Sequence, residues 1–436
     1  MNEIAGIPYI EAEFDKDGLG VGEQVVLPAG VSDLFVISHG WNNNKRRAEE
    51  VYRKFFENFV SVASPSDLPG RSFAIIGIIW PSKEYDASVA VSGTPGEGQG
   101  AAALVGVHAD SSKALEEKLD QMKDLFTEPR QQQILDEAKA LIPDLDEKEA
   151  ARVDFANKMR SLLDPKAANK EDASDSFFKD DGNELMKNLK VDEDDLDEEL
   201  AEAGGSASLR LGVGTVAAAE GGAAGIVQFL SGFGAAAMNI LNYTTYYEMK
   251  TRAGTVGKNG VAPLIDTLAP KVQHIHLVGH SFGGRVVTAA AANSKNDKIK
   301  SMTLLQAAFS QHGFSKSESG FFRGVVDNQR IKGPILITHT INDRAVAFAY
   351  PLASRINGDR TMAFGDKDDA FGAMGRNGAQ KMEDGETIVG QLLPVGASYT
   401  FRLGKYFNLE ASDFVKDHRD VTGKEICYAV RKALAA

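Results

Sequence analysis

The chain has 436 residues, 43% hydrophobic and 25% charged, with a formal net charge of -13, which is globular composition with ample length for a large core, as one domain carrying an insertion or as two. The negative balance excludes a general affinity for nucleic acid or anionic lipid, both polyanions, while leaving room for a local basic patch. A single cysteine, Cys427, excludes an internal disulfide, and its place in an expected last helix beside Ile426 and Tyr428 marks it as a small core residue.

The opening segment MNEIAGIPYIEAEFDKDG is acidic and lacks the basic start and apolar run of a secretory signal, so a cytoplasmic location is expected. Pro8–Glu13 and Gln24–Leu27 are expected as early strands around the turn residues Asp15-Lys16-Asp17-Gly18. Leu34–Ser38 and Phe73–Trp80 are too apolar for half-exposed strands and predict central ones covered on both faces. Between them Val51, Phe55, Phe59 and Val62 recur at helical spacing over Lys45–Val62, which makes a β-α-β unit.

From about Gly96 to Arg210 the character changes. A glycine-rich loop (GTPGEGQGAAALVG) leads to expected helices over Ser112–Phe126 and Asp146–Leu163, the second with Val153, Met159 and Leu163 as an apolar stripe. Asn169–Glu202, including DEDDLDEEL, is so polar that it is expected to be loosely ordered or part-helical. Calcium is one use for such carboxylates, but the glycine turn and terminal Glu of an EF-hand loop are missing, so a solvated face is the reading taken. The expected division is therefore core over 1–95, an acidic helical insertion over 96–210, and lid-like helices followed by the rest of the core over 211–436.

Gly221–Leu241 is the longest weakly polar stretch, yet its Gly/Ala content and its Gln228 and Asn239 suit a buried or lid helix pair rather than a membrane span. Phe229, Leu230, Phe233 and Met238, hinged on the glycines between Gly221 and Gly234, suit a lid over an acyl chain. An interior helix packed through small residues accounts for them equally well, and Tyr243, Tyr246 and Tyr247 are likewise pocket wall or core. Further on, His274–Val278, Ser301–Gln306 and Pro334–Thr340 are strand candidates, the first two separated by a helix after Ser281. This alternation implies a mostly parallel, doubly wound α/β sheet.

Gly279-His280-Ser281-Phe282-Gly283 lies where an apolar strand ends and an Ala/Val-rich helix begins. A G-x-S-x-G pattern is common by chance, but at a strand-to-helix junction it lifts a serine above the sheet edge, with small residues where the backbone crowds. The segment resembles the nucleophile elbow of the α/β-hydrolase superfamily of esterases, lipases and related acyl hydrolases. The resemblance covers the core segments and not the insertion, and implies Ser281 as nucleophile.

It further implies amides for the oxyanion of a tetrahedral intermediate. The Phe282 N–H is one candidate. The other lies in His39-Gly40-Trp41, similar to the family's HG segment: the Trp41 N–H, with Gly40 as the alternative. Trp41 is also a candidate wall of the acyl pocket, and His39 is expected to order the loop. The family's chain order of Ser, acid, His selects Asp343, just past the Pro334–Thr340 strand, over Asp327, which precedes it, and over Asp366, Asp368 and Asp369, which lie well beyond. It then selects His418, the one histidine downstream of Asp343; His312 and His339 break the order, and His274, His276 and His280 receive no chemistry.

The implied activity is hydrolysis of a carboxylic ester, small or lipid-like, without metal or organic cofactor. Thioesterase, amidase or acyltransferase chemistry on the same triad is an alternative, as is a hydrolase-like scaffold whose acidic insertion binds a protein partner.

Overall fold

The computed structural model describes residues 2–64, 67–82, 111–190, 206–207, 216–217, 232–343, 352–357, 367 and 371–436. The chain divides into two compact units, one of Met1–Glu84, Met249–Val346 and Gly372–Ala436, the other of Tyr85–Glu248 and Ala347–Phe371.

The first unit is built on a 10-stranded sheet. Its strands are β1 (Asn2–Ile4), β2 (Ile7–Phe14), β3 (Gly20–Val21), β4 (Asp33–Ser38), β5 (Phe73–Ile79), β6 (His274–His280), β7 (Ile299–Leu305), β8 (Ile335–His339), β9 (Thr387–Gln391) and β10 (Tyr406–Glu410). They lie in the order β1-β2-β5-β4-β6-β7-β8-β10-β9, with β3 on β2. Every pairing from β2 to β9 is parallel, and only β1 and β3 run antiparallel to β2. All six residues of β4 are buried, as are all but the first of β5 and β6, which is why these runs carry no polar alternation.

Helix α1 (Lys45–Ser61) starts at Asn44, whose side chain accepts the Arg47 amide at 2.9 Å. It turns Ala48, Tyr52, Phe55, Phe56 and Phe59 inward, and Phe35 of β4 meets Phe56 and Phe59 edge-on at centroid distances of 5.1 and 5.2 Å. Burial of each such ring contributes roughly 2–3 kcal/mol. Helix α2 (Phe282–Asn293) follows β6, and helix α3 (Lys424–Leu434) completes the aromatic layer. There Cys427 is wholly buried with Sγ 3.3 Å from Phe55 O, and burial pushes its thiol well up.

One expected strand is absent. Gln24–Leu27 does not pair; the residues that return to β2 are Gly20 and Val21. Asp15 Oδ1 accepts the amides of Asp17 and Leu19, so the turn closes at once and the chain departs after two residues, leaving Val26 61% exposed with no buried face to hold it. Strands β1, β9 and β10 were not expected from the sequence.

The second unit is helical where described, with helices at Ser111–Met122, Pro129–Lys139, Glu149–Ser161, Ser174–Lys179 and Gly182–Asn188, and a long helix, Gly232–Thr255, that begins in this unit. Ser206–Ala207 and Val216–Ala217 form a short antiparallel pair. Tyr243 and Tyr247 belong to the core, their hydroxyls donating to the carbonyls of Asp172 and Asp164, each at 2.8 Å. The polar stretch from Asn169 is part-helical as far as Lys190: Asp181 caps one helix by accepting the Asn183 and Glu184 amides, and Phe177, Leu185, Met186 and Leu189 are wholly buried. The acidic run DEDDLDEEL and the glycine-rich GTPGEGQGAAALVG lie outside the described residues. No helix among the described residues is long and apolar enough to cross a membrane.

Candidate active site

Because β4, β6, β7, β8 and β10 are neighbours and parallel, the loops that follow them open at one end of the sheet. Those loops carry Gly40 and Trp41 after β4, Ser281 after β6, Asp343 after β8 and His418 after β10.

Ser281 occupies the single residue between β6 and α2 with φ 55° and ψ -125°, a backbone conformation rare for a residue with a Cβ and costing on the order of 1–3 kcal/mol. The extension of β7 holds it there. Ser281 N donates to Leu305 O at 3.0 Å, and Ala308 N donates to Ser281 O at 3.1 Å. The crossing is so tight that a Cβ on Gly283 would lie 2.2 Å from Ser38 O, and one on Gly279 would lie 2.4 Å from Gly283 O. Only glycine fits at either position, which is the physical content of the G-x-S-x-G pattern in this chain.

Asp343 is wholly buried, and its Oδ2 accepts a hydrogen bond from His418 Nδ1 at 2.8 Å. The two loops are tied along their length: Asn342 Nδ2 donates to Val415 O at 2.8 Å and to Ser412 O at 3.1 Å, and Thr340 Oγ1 lies 3.0 Å from Ser412 Oγ. With Nδ1 donating to the carboxylate, the lone pair of a neutral His418 is on Nε2. His418 also meets the elbow directly, since its backbone carbonyl accepts from His280 Nε2 at 2.8 Å and the two rings lie 4.8 Å apart.

On the other side of Ser281 the turn after β4 comes so close that a Cβ on Gly40 would lie 2.6 Å from Ser281 Cβ. The Gly40 carbonyl accepts from His39 Nδ1 at 2.9 Å, Asn43 Nδ2 at 3.1 Å and Ser82 Oγ at 3.1 Å. Across a planar trans peptide the carbonyl and the next N–H point in opposite directions, so this grip also fixes the direction of the Trp41 amide. His39 ties this loop to the residue that follows β5. Its other nitrogen receives the Trp80 amide at 3.4 Å, its own amide meets the Tyr52 hydroxyl at 2.8 Å, and burial pushes its imidazole down to about 4. The Trp41 ring is half-buried, 5.9 Å from that of Phe282, the first residue of α2, where N–H groups point out toward the helix start.

The other candidates fall elsewhere. Asp327 is ion-paired with Arg323 at 2.8 Å and half exposed; His312 follows β7 and His339 ends β8. Asp366, Asp368 and Asp369 lie outside the described residues, as does Phe229. Phe233 and Met238 are half-buried on the Gly232–Thr255 helix, and within the second unit the Arg152 guanidinium lies 4.1 Å from the Phe233 ring centre. Neither the bond made by His280 nor the grip of Asn43 and Ser82 on Gly40 is marked in the sequence, since no local pattern singles out a serine whose partner lies 42 positions away.

Among known proteins, the family model described as alpha/beta hydrolase fold matches residues 269–329, the stretch that contains β6, the Ser281 turn, α2 and β7. No curated protein matches the chain, and no solved structure does. That match spans the strained serine turn, and the mostly parallel sheet around it has the architecture of the α/β-hydrolase fold.

Proposed function

We propose that the protein is a serine hydrolase that cleaves carboxylic esters through an acyl-serine intermediate, with Ser281, Asp343 and His418 as its triad. The observation that carries the proposal is the Asp343–His418 hydrogen bond in loops adjoining a strained serine turn, with the His418 carbonyl bonded to the residue that precedes Ser281.

Ser281 Oγ attacks the ester carbonyl while His418 Nε2 takes its proton, and Asp343 stays ionised to hold the ring and stabilise the imidazolium. Charge on the former carbonyl oxygen is met by the Phe282 amide at the start of α2 and by the Trp41 amide, whose direction the gripped Gly40 carbonyl supports. As the carbon–oxygen bond breaks, His418 returns the proton to the departing alcohol. Water repeats the sequence on the acyl-serine, giving up a proton to His418, and releases the acid and free Ser281. Phe229, Phe233 and Met238, with the Trp41 ring, are assigned to the acyl chain on residue type.

A p-nitrophenyl ester series of increasing chain length tests the proposal. Ser281→Ala and His418→Ala should each lower kcat by about 10³-fold or more; wild-type rates in both would overturn the mechanism. A preference for long chains that weakens in Phe233→Ala supports the acyl-chain assignment, and indifference to chain length removes it. Thioester and anilide analogues sort the bond cleaved, since all three classes share the acyl-enzyme.

A further inference from the structure

We infer that His280, the residue before the nucleophile, is a positioning residue that sets the base: its ring N–H holds the backbone carbonyl of His418 and thereby fixes that residue against the Ser281 turn. The inference rests on the proposed role of His418 and adds to it a part that the Ser281–Asp343–His418 triad does not supply.

A carbonyl only accepts, so the 2.8 Å contact from His280 Nε2 to His418 O requires the hydrogen on Nε2. His280 is 7% exposed, and burial first, then the neighbouring His418 charge, pushes its imidazole well below the ordinary range. A neutral ring in this place has a purpose. The two rings are 4.8 Å apart, and a second positive charge there would oppose the imidazolium that His418 must become.

The contact also joins segments far apart in sequence, 138 positions, at the point where precision matters. Asp343 engages the His418 ring at Nδ1, so the placement of the ring also depends on where its backbone is held. On the near side the segment is tied at Ser412 and Val415 by Asn342, and on the far side at Thr422 O by Asn58 Nδ2 at 2.7 Å. Between those ties, His280 fixes the peptide of His418 itself. Because His280 is adjacent to Ser281, base and nucleophile are referred to one rigid turn, and a displacement of about 1 Å is the scale at which roughly 10²-fold in rate is lost.

The test compares His280→Ala, His280→Gln and His280→Asn with the wild-type chain on a p-nitrophenyl ester. The amide nitrogen of Gln reaches about as far as Nε2, whereas that of Asn stops near Nδ1. Ala and Asn should lower kcat by about tenfold or more with KM within about twofold, and slow fluorophosphonate labelling of Ser281 in parallel; Gln should recover kcat to within about threefold of wild type. Should the Ala chain not fold, the Gln and Asn pair decides. A kcat within about twofold of wild type in Asn, or equal impairment of Gln and Asn, overturns the inference. Ser281→Ala separates the two levels: if it still turns over, the proposed mechanism fails; if it is dead while His280→Asn is fully active, only the role of His280 fails.

Discussion

The first unit carries two buried Asp–His pairs, at opposite ends of one sheet. At the end where the strands finish, Asp343 meets His418 beside Ser281. At the end where they start, Asp33 Oδ1 is shared by His276 Nε2 at 3.0 Å, His274 Nδ1 at 3.1 Å and Arg71 at 3.3 Å, while Ser32 Oγ donates to Oδ2 at 2.6 Å. There the other nitrogen of His276 lies 2.8 Å from Ser301 Oγ, so Ser301, His276 and Asp33 form a serine–histidine–aspartate chain of their own. Every member is nearly or wholly buried, and Ser301 lies within extended β7, with no forced turn and no helix start beside it. The same three residue types thus occur in two backbone settings. Ser281 differs from Ser301 in its left-handed backbone and in the helix that starts at the next residue.

The largest expected difference is in turnover. Asp343→Asn should lower kcat by about 10⁴-fold, because an amide in that place favours the wrong tautomer of His418, while leaving thermal stability close to wild type. Asp33→Asn should do the reverse. Burial alone would raise the Asp33 carboxyl, but hydrogen bonds from His276 and Ser32 and the Arg71 charge hold it below the usual carboxylate range. Neutralising it strands buried donors and should cost on the order of 3 kcal/mol in a denaturant titration, with kcat of the folded protein unchanged. If Asp33→Asn abolished turnover at full stability, the contrast between the two ends would be wrong.

Next in size is a pH effect. Burial lowers the imidazoles of His39, His276 and His280, so the unfolded chain binds these protons more readily than the folded one. Their contribution is intact above 6.5 and is lost as the pH falls below it. For His39, going from 6.5 to about 4 at ~1.4 kcal/mol per unit gives a loss of about 3 kcal/mol by pH 4. Asp33, lowered from 3.8, holds its contribution until the pH drops beneath that value. Denaturant titrations between pH 7 and 4 should thus show a steep fall; a flat profile would mean that the three rings are hydrated.

How much of this was legible in the sequence depended on how local each constraint is. The Ser281 turn was legible because Gly279 and Gly283 answer to backbone within a few residues or on the adjoining strand, and β4 and β5 because both their faces are covered. Asp343 and His418 followed from chain order in the family, not from any pattern around them. His280 and Asp33 were opaque, since their partners lie 138 and 243 positions away and only the sheet order unites them. Gln24–Leu27 misled because β-rich letters say nothing about whether a neighbouring strand is in reach.

The smallest effect sharpens the comparison most finely, because it sets serine against serine. Ser82→Ala removes a hydroxyl whose one hydrogen is shared between the Gly40 and Asn43 carbonyls, while the side chains of His39 and Asn43 still donate to Gly40. Deleting an oxyanion donor outright costs about 10²–10³ in kcat. Loosening the peptide that aims one should cost nearer 1 kcal/mol, about fivefold in kcat with KM unchanged. Ser301→Ala removes a hydroxyl of equal burial at the other end and should leave kcat within about twofold while lowering stability by ~1 kcal/mol. Equal effects on kcat would mean that the Gly40 grip is packing alone; a fall confined to Ser82→Ala, together with weaker binding of a boronic acid that mimics the tetrahedral oxyanion, would tie the orientation of the Trp41 amide to the chemistry.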